Sequence, residues 1–211
     1  MYNEMFKDRI EAGLMLSKKL KKYQKTNTVV LAVPRGGVPM GYIIAKRLHL
    51  PLDIVFSKKI GHPYNKEFAI GAVSLDSTII DEHHGISNEY IEEAIVRLRK
   101  LMRKKYVLYM GNREPIDIKG KNIIVVDDGI ATGNTLLVSI SMLRKRNPAK
   151  IIVAVPVLPR ETVAIFEKNA DEFIYLIASK SFKGVGGFYK EFDQVEDDEV
   201  IKILSVSSPI E

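Results

Sequence analysis

The segment Ile123–Thr135, IIVVDDGIATGNT, constrains the fold of this chain more than any other stretch. Ile123 to Val126 is a short β-branched run with no apolar/polar alternation, the pattern of a strand buried on both faces of a parallel sheet. Asp127 and Asp128 follow at its carboxyl end, where open α/β sheets bind ligands. Gly129 to Thr135 then supply small residues whose backbone N–H groups can converge on an anion at the start of a helix, and Thr132 and Thr135 add hydroxyl donors. Two acids accept hydrogen bonds from a diol, and the turn takes a phosphate. Taken alone, the acid pair also suits a nucleoside-triphosphatase strand, a phospho-acceptor receiver or a plain acidic turn in water. The first needs an upstream G-x-x-x-x-G-K-[ST] loop, which this chain lacks. A receiver carries its acids near the N-terminus, and the Thr-Gly-x-Thr spacing weighs against the plain turn.

The rest of the chain reads as alternating strands and helices. Strands are expected at Thr28–Val33, Leu52–Phe56, Ile123–Val126, Ile151–Val155 and Glu172–Tyr175. Helical patterns fall at Asn3–Tyr23, Val38–Leu48, Asn134–Arg146 and Glu161–Asn169. This order implies an α/β fold with a mainly parallel, doubly wound sheet. Phe68–Val73 and Thr78–Ile80 flank Asp76-Ser77 and read as a hairpin. A long helix at Asn88–Tyr106 has acids early and Arg103, Lys104 and Lys105 late, the order that suits the helix dipole. One domain over residues 1–211 is expected, with 58–81 as a mobile loop and hairpin and 180–205 as a C-terminal hood.

Composition excludes several classes. The chain has 211 residues and no cysteine, so disulfides, zinc-thiolate centres and thiol nucleophiles are ruled out. It carries no long apolar run and no signal-like start, which sets the expectation of a cytoplasmic protein without a membrane partner. A net charge of +6 suits a polyanionic small substrate and equally permits weak nucleic-acid binding.

A second turn, Pro34-Arg35-Gly36-Gly37, lies between the first strand and its helix. Its glycines let amides approach a ligand, the helix start favours negative charge, and Arg35 can pair two hydrogen bonds to phosphate oxygens, which together suit pyrophosphate. Lys58 and Lys59 are read as the end of the second strand. Strand alternation lets only one of them face the anion, and Lys59, at the mouth of the following loop, is the preferred one. Glu67 on that loop is a candidate general base, against the plainer reading of a solvated loop acid. His83-His84 invites a metal reading, but adjacent ligands on an extended turn rarely share a centre. Phe188, Tyr189 and Phe192 can either stack on a base or anchor the tail to the core.

VVDDGIATGNT resembles the phosphoribosyl-pyrophosphate (PRPP) motif of type I phosphoribosyltransferases. VVLAVPRGGVPMGYIIAKRL, Val29 to Leu48, is similar to the family's first strand, pyrophosphate loop and first helix. KKIGHPYNKEFAIGAV and GGFYKEFDQVEDDEV extend the resemblance to a branch of predicted phosphoribosyltransferases. The resemblance implies Mg²⁺-dependent transfer of a phosphoribosyl group from PRPP to a nitrogen nucleophile such as a nucleobase, with release of pyrophosphate. Asp127 and Asp128 would be catalytic, holding the ribose hydroxyls. Ala131, Thr132, Gly133, Asn134 and Thr135 would bind the 5′-phosphate, and Arg35, Gly36, Gly37 and Lys59 the pyrophosphate. Mg²⁺ would be held mainly through substrate, with Asp127 and Asp128 as further ligands. Phe188 and Tyr189 become base-binding candidates, a strained peptide is expected at Pro34–Arg35, and a homodimer is the expected assembly. Enzymes for 6-oxopurines usually carry an aspartate where this chain has Ala131, which points to adenine-like or non-purine acceptors. The alternative is a PRPP-sensing regulator that binds nucleic acid through Arg97–Lys105 without catalysis.

Overall fold

The computed structural model describes residues 5–65, 68–81 and 85–207. Its elements in chain order are α1 (Arg9–Lys19), β1 (Thr28–Ala32), α2 (Gly37–Leu48), β2 (Leu52–Ile54), β3 (Ser57–Gly61), β4 (Ala69–Ser74), β5 (Thr78–Ile80), α3 (Asn88–Met110), β6 (Asn122–Val126), α4 (Asn134–Arg144), β7 (Lys150–Pro159), α5 (Val163–Asn169), β8 (Glu172–Ser179) and α6 (Asp197–Val206). Five parallel strands form one sheet in the order β2-β1-β6-β7-β8. The chain runs outward from β1 to β2 and later returns to the other side of β1 with β6. The carboxyl ends of β1 and β6 therefore border the switch point, where such sheets open a crevice.

Period-two side-chain alternation sorts each strand onto two cores. Val30, Ala32, Ile124 and Val126 join α1, α2 and α6 on one face. Val29, Leu31, Ile123 and Val125 join α4 and α5 on the other. This is the expected doubly wound α/β architecture. A separate antiparallel sheet, β3-β4-β5, is backed by α3, and Ile60, Ile70, Val73, Ala94 and Met102 form its own small core.

Three elements differ from the sequence reading. The first helix begins at Arg9 and not at Asn3, because the Asp8 carboxylate caps it by accepting from Glu11 N at 2.8 Å. Phe6 lies outside it and bridges to Tyr189. The second strand stops at Ile54, and Ser57–Gly61, expected as strand end and loop, is a strand of the antiparallel sheet. Two central lysines hide the alternation there. The hood segment ends in a helix, α6, whose Val200 and Leu204 are fully buried against the first core.

Among the described residues no helix is long and apolar enough to cross a membrane. Ile124 is fully buried at the centre of the sheet, whereas Ile10, on the predicted apolar stripe of the first helix, is 42% exposed. Ile124→Ala should therefore cost about 2–5 kcal/mol in urea unfolding, and Ile10→Ala no more than about 0.5 kcal/mol.

Candidate active site

β6 ends in the acid pair. Asp127 and Asp128 are half-buried, and the Asp127 carboxylate accepts the Asp128 N–H at 2.9 Å. Burial pushes the Asp127 carboxyl well above the ordinary carboxylate range, and the neighbouring Asp128 charge pushes it further. Burial also raises Asp128, but Arg9 opposes it. Arg9, on α1, donates from Nε and Nη2 to Asp128 Oδ2, each at 2.9 Å. Its guanidinium lies 3.9 Å above the Phe192 ring, and Nη1 donates to the Asp193 carbonyl at 2.8 Å.

The loop after β1 closes against these acids. The Pro34–Arg35 peptide is cis. A Cβ on Gly36 would meet the Asp128 carboxylate, and one on Gly37 the Val126 carbonyl. The glycines thus serve first to let two backbones approach at the switch point. Neither α2 nor α4 has a side-chain N-cap, since each starts from glycine; in α2 the Gly37 and Val38 amides donate to the Val33 and Arg35 carbonyls at 3.0 and 3.1 Å, whereas the start of α4 suits an anion. Gly133 adopts φ 77° before α4, a conformation that disfavours other residues. Ala131, Thr132, Asn134 and Thr135 around it are exposed, which leaves the turn open to a ligand.

A cavity of about 430 Å³ joins the two turns, with Pro34, Arg35, Lys58, Thr135 and Ser139 on its wall and Leu98 and Met102 of α3 opposite. Lys58, not Lys59, faces it. Ser57 lines the cavity as well, and its Oγ meets Ser139 Oγ of α4 at 2.8 Å. Arg35 Nη1 lies 3.3 Å from Glu196 Oε2 and 3.6 Å from Asp197 Oδ1, and Asp197 is also held by Lys105 and Tyr109.

Tyr189 is not available to stack on a base. It is 4% exposed, stacks on Phe192 at 4.8 Å and donates its hydroxyl to the Asp128 carbonyl at 2.7 Å. The anchoring alternative holds for this residue. Phe188 is half-buried and stacks on Phe182 at 5.6 Å. Both flank the turn Val185–Phe188, whose Val185 lies against Gly129 beside the acid pair. Glu67, His83 and His84 lie outside the described residues. Sequence reasoning missed Arg9, Glu196 and Asp197, and weighed Lys58 but preferred Lys59. Arg9 stands 119 residues from Asp128, and no local pattern couples them.

The phosphoribosyl transferase domain model matches residues 4–189 of the chain. The chain belongs to the phosphoribosyltransferase family. It is 34% identical over 207 residues to a Mycobacterium tuberculosis H37Rv protein whose curated name assigns it provisionally to the phosphoribosyl transferases, a match covering 95% of this chain and 46% of that protein. The chain thus spans about half the length of the curated relatives it matches. The crystal structure of TT1426 from Thermus thermophilus superposes with a TM-score of 0.86 at 34% identity, covering 95% of this chain and 97% of that one. A shorter match, 49% identical over 39 residues, links 18% of the chain to 14% of the ribose-phosphate pyrophosphokinase of Pyrococcus furiosus.

Two outcomes follow from the electrostatics of this phosphoribosyltransferase site. The Asp127 carboxyl titrates above its ordinary value when folded, so it favours folding while protonated and loses that contribution as pH rises through the folded-state value. Asp127→Asn should therefore melt higher than wild type at about pH 8, and the difference should close towards about pH 4 in a thermal melt series. Arg9→Met should raise the Asp128 titration further, with Arg9→Lys between the two, as read from the Asp128 carboxyl carbon shift in an NMR pH series.

Proposed function

We propose that this chain transfers a 5-phosphoribosyl group from PRPP to a nitrogen nucleophile and releases pyrophosphate. What carries the reading is one cavity lined by Arg35, Lys58 and Thr135 from two glycine-led helix starts and β3, together with the loop of Gly36 and Gly37 seated against the Asp127-Asp128 pair. The substrate has three anionic or hydroxyl-bearing parts, and the chain offers a complementary surface for each. Asp127 and Asp128 accept from the ribose diol. Ala131–Thr135 donate backbone and hydroxyl hydrogens to the 5′-phosphate. Arg35, Lys58 and the Gly36 amide take the pyrophosphate, with Gly37, whose N–H donates to the Val33 carbonyl, leaving the space for it, and the guanidinium exchanges the Glu196 and Asp197 carboxylates for phosphate oxygens. Ammonium and guanidinium groups placed there stabilise the negative charge that grows on the leaving group as its bond to the ribose C1 breaks.

Adjacent carboxylates at a sheet end are hard oxygen donors that fit Mg²⁺, a cation that keeps several waters and binds through one or two carboxylates plus substrate phosphates. When bound, it neutralises phosphate charge between the diol and the leaving group. The acceptor is placed against Phe182 and Phe188, the half-buried stacked pair beside Gly129. With Ala131 offering no carboxylate, proton transfer at the acceptor falls to another group, for which Glu67 is the candidate, and adenine-like or non-purine acceptors should outrank 6-oxopurines.

The regulator alternative draws on the basic stretch Arg97–Lys105. Two of its cations are committed internally, Arg99 to Ser74, Ser77 and Thr78 and Lys105 to Asp197, so the helix presents less of a basic face than its composition suggests. The test is pyrophosphate release from PRPP and Mg²⁺ across a panel of bases. Asp128→Asn should lower kcat on the order of 10²–10³-fold, the scale of losing one preorganised polar contact to the transition state, while the protein still folds. Turnover in that variant equal to wild type, or no release with any base, would overturn the proposal.

A further inference from the structure

A second cavity, about 510 Å³, does not touch the acid pair. It opens against the outer edge of β2, between α3, the carboxyl end of α4 and the segment 111–115. Its walls mix polar and apolar surface, the apolar part coming from residues such as Leu31, Val55, Leu75, Val107 and Met142. At the floor sits Asp53, 2% exposed. Its Oδ1 accepts from Ile54 N at 2.7 Å and Tyr106 OH at 3.1 Å, and its Oδ2 accepts from Ile116 N at 2.8 Å. All three donors are neutral, and a carboxylate has about four acceptor directions, so one on Oδ2 remains for a further donor. Burial raises the Asp53 titration, which marks the cost of keeping a carboxylate there.

The mouth has the opposite character. Arg103, Arg113 and Arg146 rim it. Arg146 is braced by the Ile116 carbonyl at 3.0 Å and by Asp76 at 3.2 Å, and Arg113 by the Leu204 and Ser207 carbonyls at 3.0 and 3.2 Å. Arg103 is exposed. Asp76 and Glu114 stand among these arginines, and with Asp76 committed to Arg146 the exposed Arg103 is left to meet an anionic group. The complementary ligand has a flat apolar body, N–H donors at one end and an anionic group at the other.

We propose that this cavity is a second ligand site, for a nucleoside monophosphate whose base packs on the apolar part of the walls with an N–H directed at Asp53 and whose phosphate meets Arg103 and Arg146. The volume lies within the range of small-molecule pockets, about 300–1,000 Å³. The site is linked to the first one through shared structure. Val55 and Phe56 line both cavities. Phe56 stacks on Tyr109 at 6.1 Å, and the Tyr109 hydroxyl holds Asp197, a partner of Arg35. A nucleotide that shifts this wall changes the grip of Arg35 on pyrophosphate, and pyrophosphate changes the affinity for nucleotide by the same factor. That coupling rests on the proposed transferase reading, whereas the binding itself does not.

Isothermal titration calorimetry with GMP and AMP, and inorganic phosphate as control, tests the site on wild type, Asp128→Asn, Arg103→Ala and Asp53→Asn. Saturable nucleotide binding should persist in Asp128→Asn and weaken about tenfold or more in Arg103→Ala, the scale of losing one hydrogen bond to a charged group. Asp53→Asn should weaken it as well. If that variant does not fold, the exposed Arg103 position still decides the matter. Nucleotide binding that is absent, that vanishes in Asp128→Asn, that ignores Arg103→Ala or that phosphate alone matches in affinity would overturn the proposal. An enzyme inactive on every base leaves these binding outcomes unchanged, so the two proposals fail separately.

Discussion

Two adjacent carboxylates at the end of a fully buried strand are the constraint around which the site is arranged. β6 is the middle strand of five, fixed by neighbours on both edges and by cores on both faces, so Asp127 and Asp128 cannot separate by moving the backbone. Desolvation and mutual repulsion both disfavour their ionised forms. The acids are set by two long-range contacts, one local hydrogen bond and the space left by two glycines. The Arg9 guanidinium comes from α1, the Asp128 N–H from the strand end itself and the Tyr189 hydroxyl from the tail, while Gly36 and Gly37 leave the space in which the acids sit. α1 and the aromatic tail are thereby tied to the site, because Arg9 stacks on Phe192 and Phe192 on Tyr189.

What is legible in the sequence is what local patterns carry. A β-branched run without alternation, acids at its end and glycine before a helix each depend on neighbouring residues, and they place β6, α4 and the doubly wound sheet. Runs whose pattern is mixed are harder. Ser57–Gly61 carries two lysines at its centre, so it reads as a loop, and without that strand the choice between Lys58 and Lys59 starts from the wrong register. Tyr189 shows a different limit. Composition near the tail allows both stacking on a base and anchoring, and only the long-range contact to the Asp128 carbonyl separates them. Arg9 has no sequence signal at all, since its partner is brought to it by the fold.

The cations of the site are not equivalent, and the difference bears on how an anion is exchanged there. Arg9 binds Asp128 through two nitrogens, and both side chains are largely shielded, at 12% and 16% exposure. Breaking such a pair leaves a buried charge without its partner, which typically costs several kcal/mol, about 3–5. Arg35 meets Glu196 through one longer contact, with 33% and 64% of the side chains exposed. Pairs of that kind contribute about 0–1 kcal/mol. Arg9 is therefore a fixed partner of the acid pair, whereas Arg35 can trade a weak carboxylate contact for a phosphate that offers two parallel hydrogen bonds. The exchange also frees Glu196 and leaves Asp197 with Lys105 and Tyr109, so the carboxylate most strongly held by other groups loses least. An anion entering at Arg35 thus gains a charged partner without disturbing the Arg9–Asp128 pair at the end of β6.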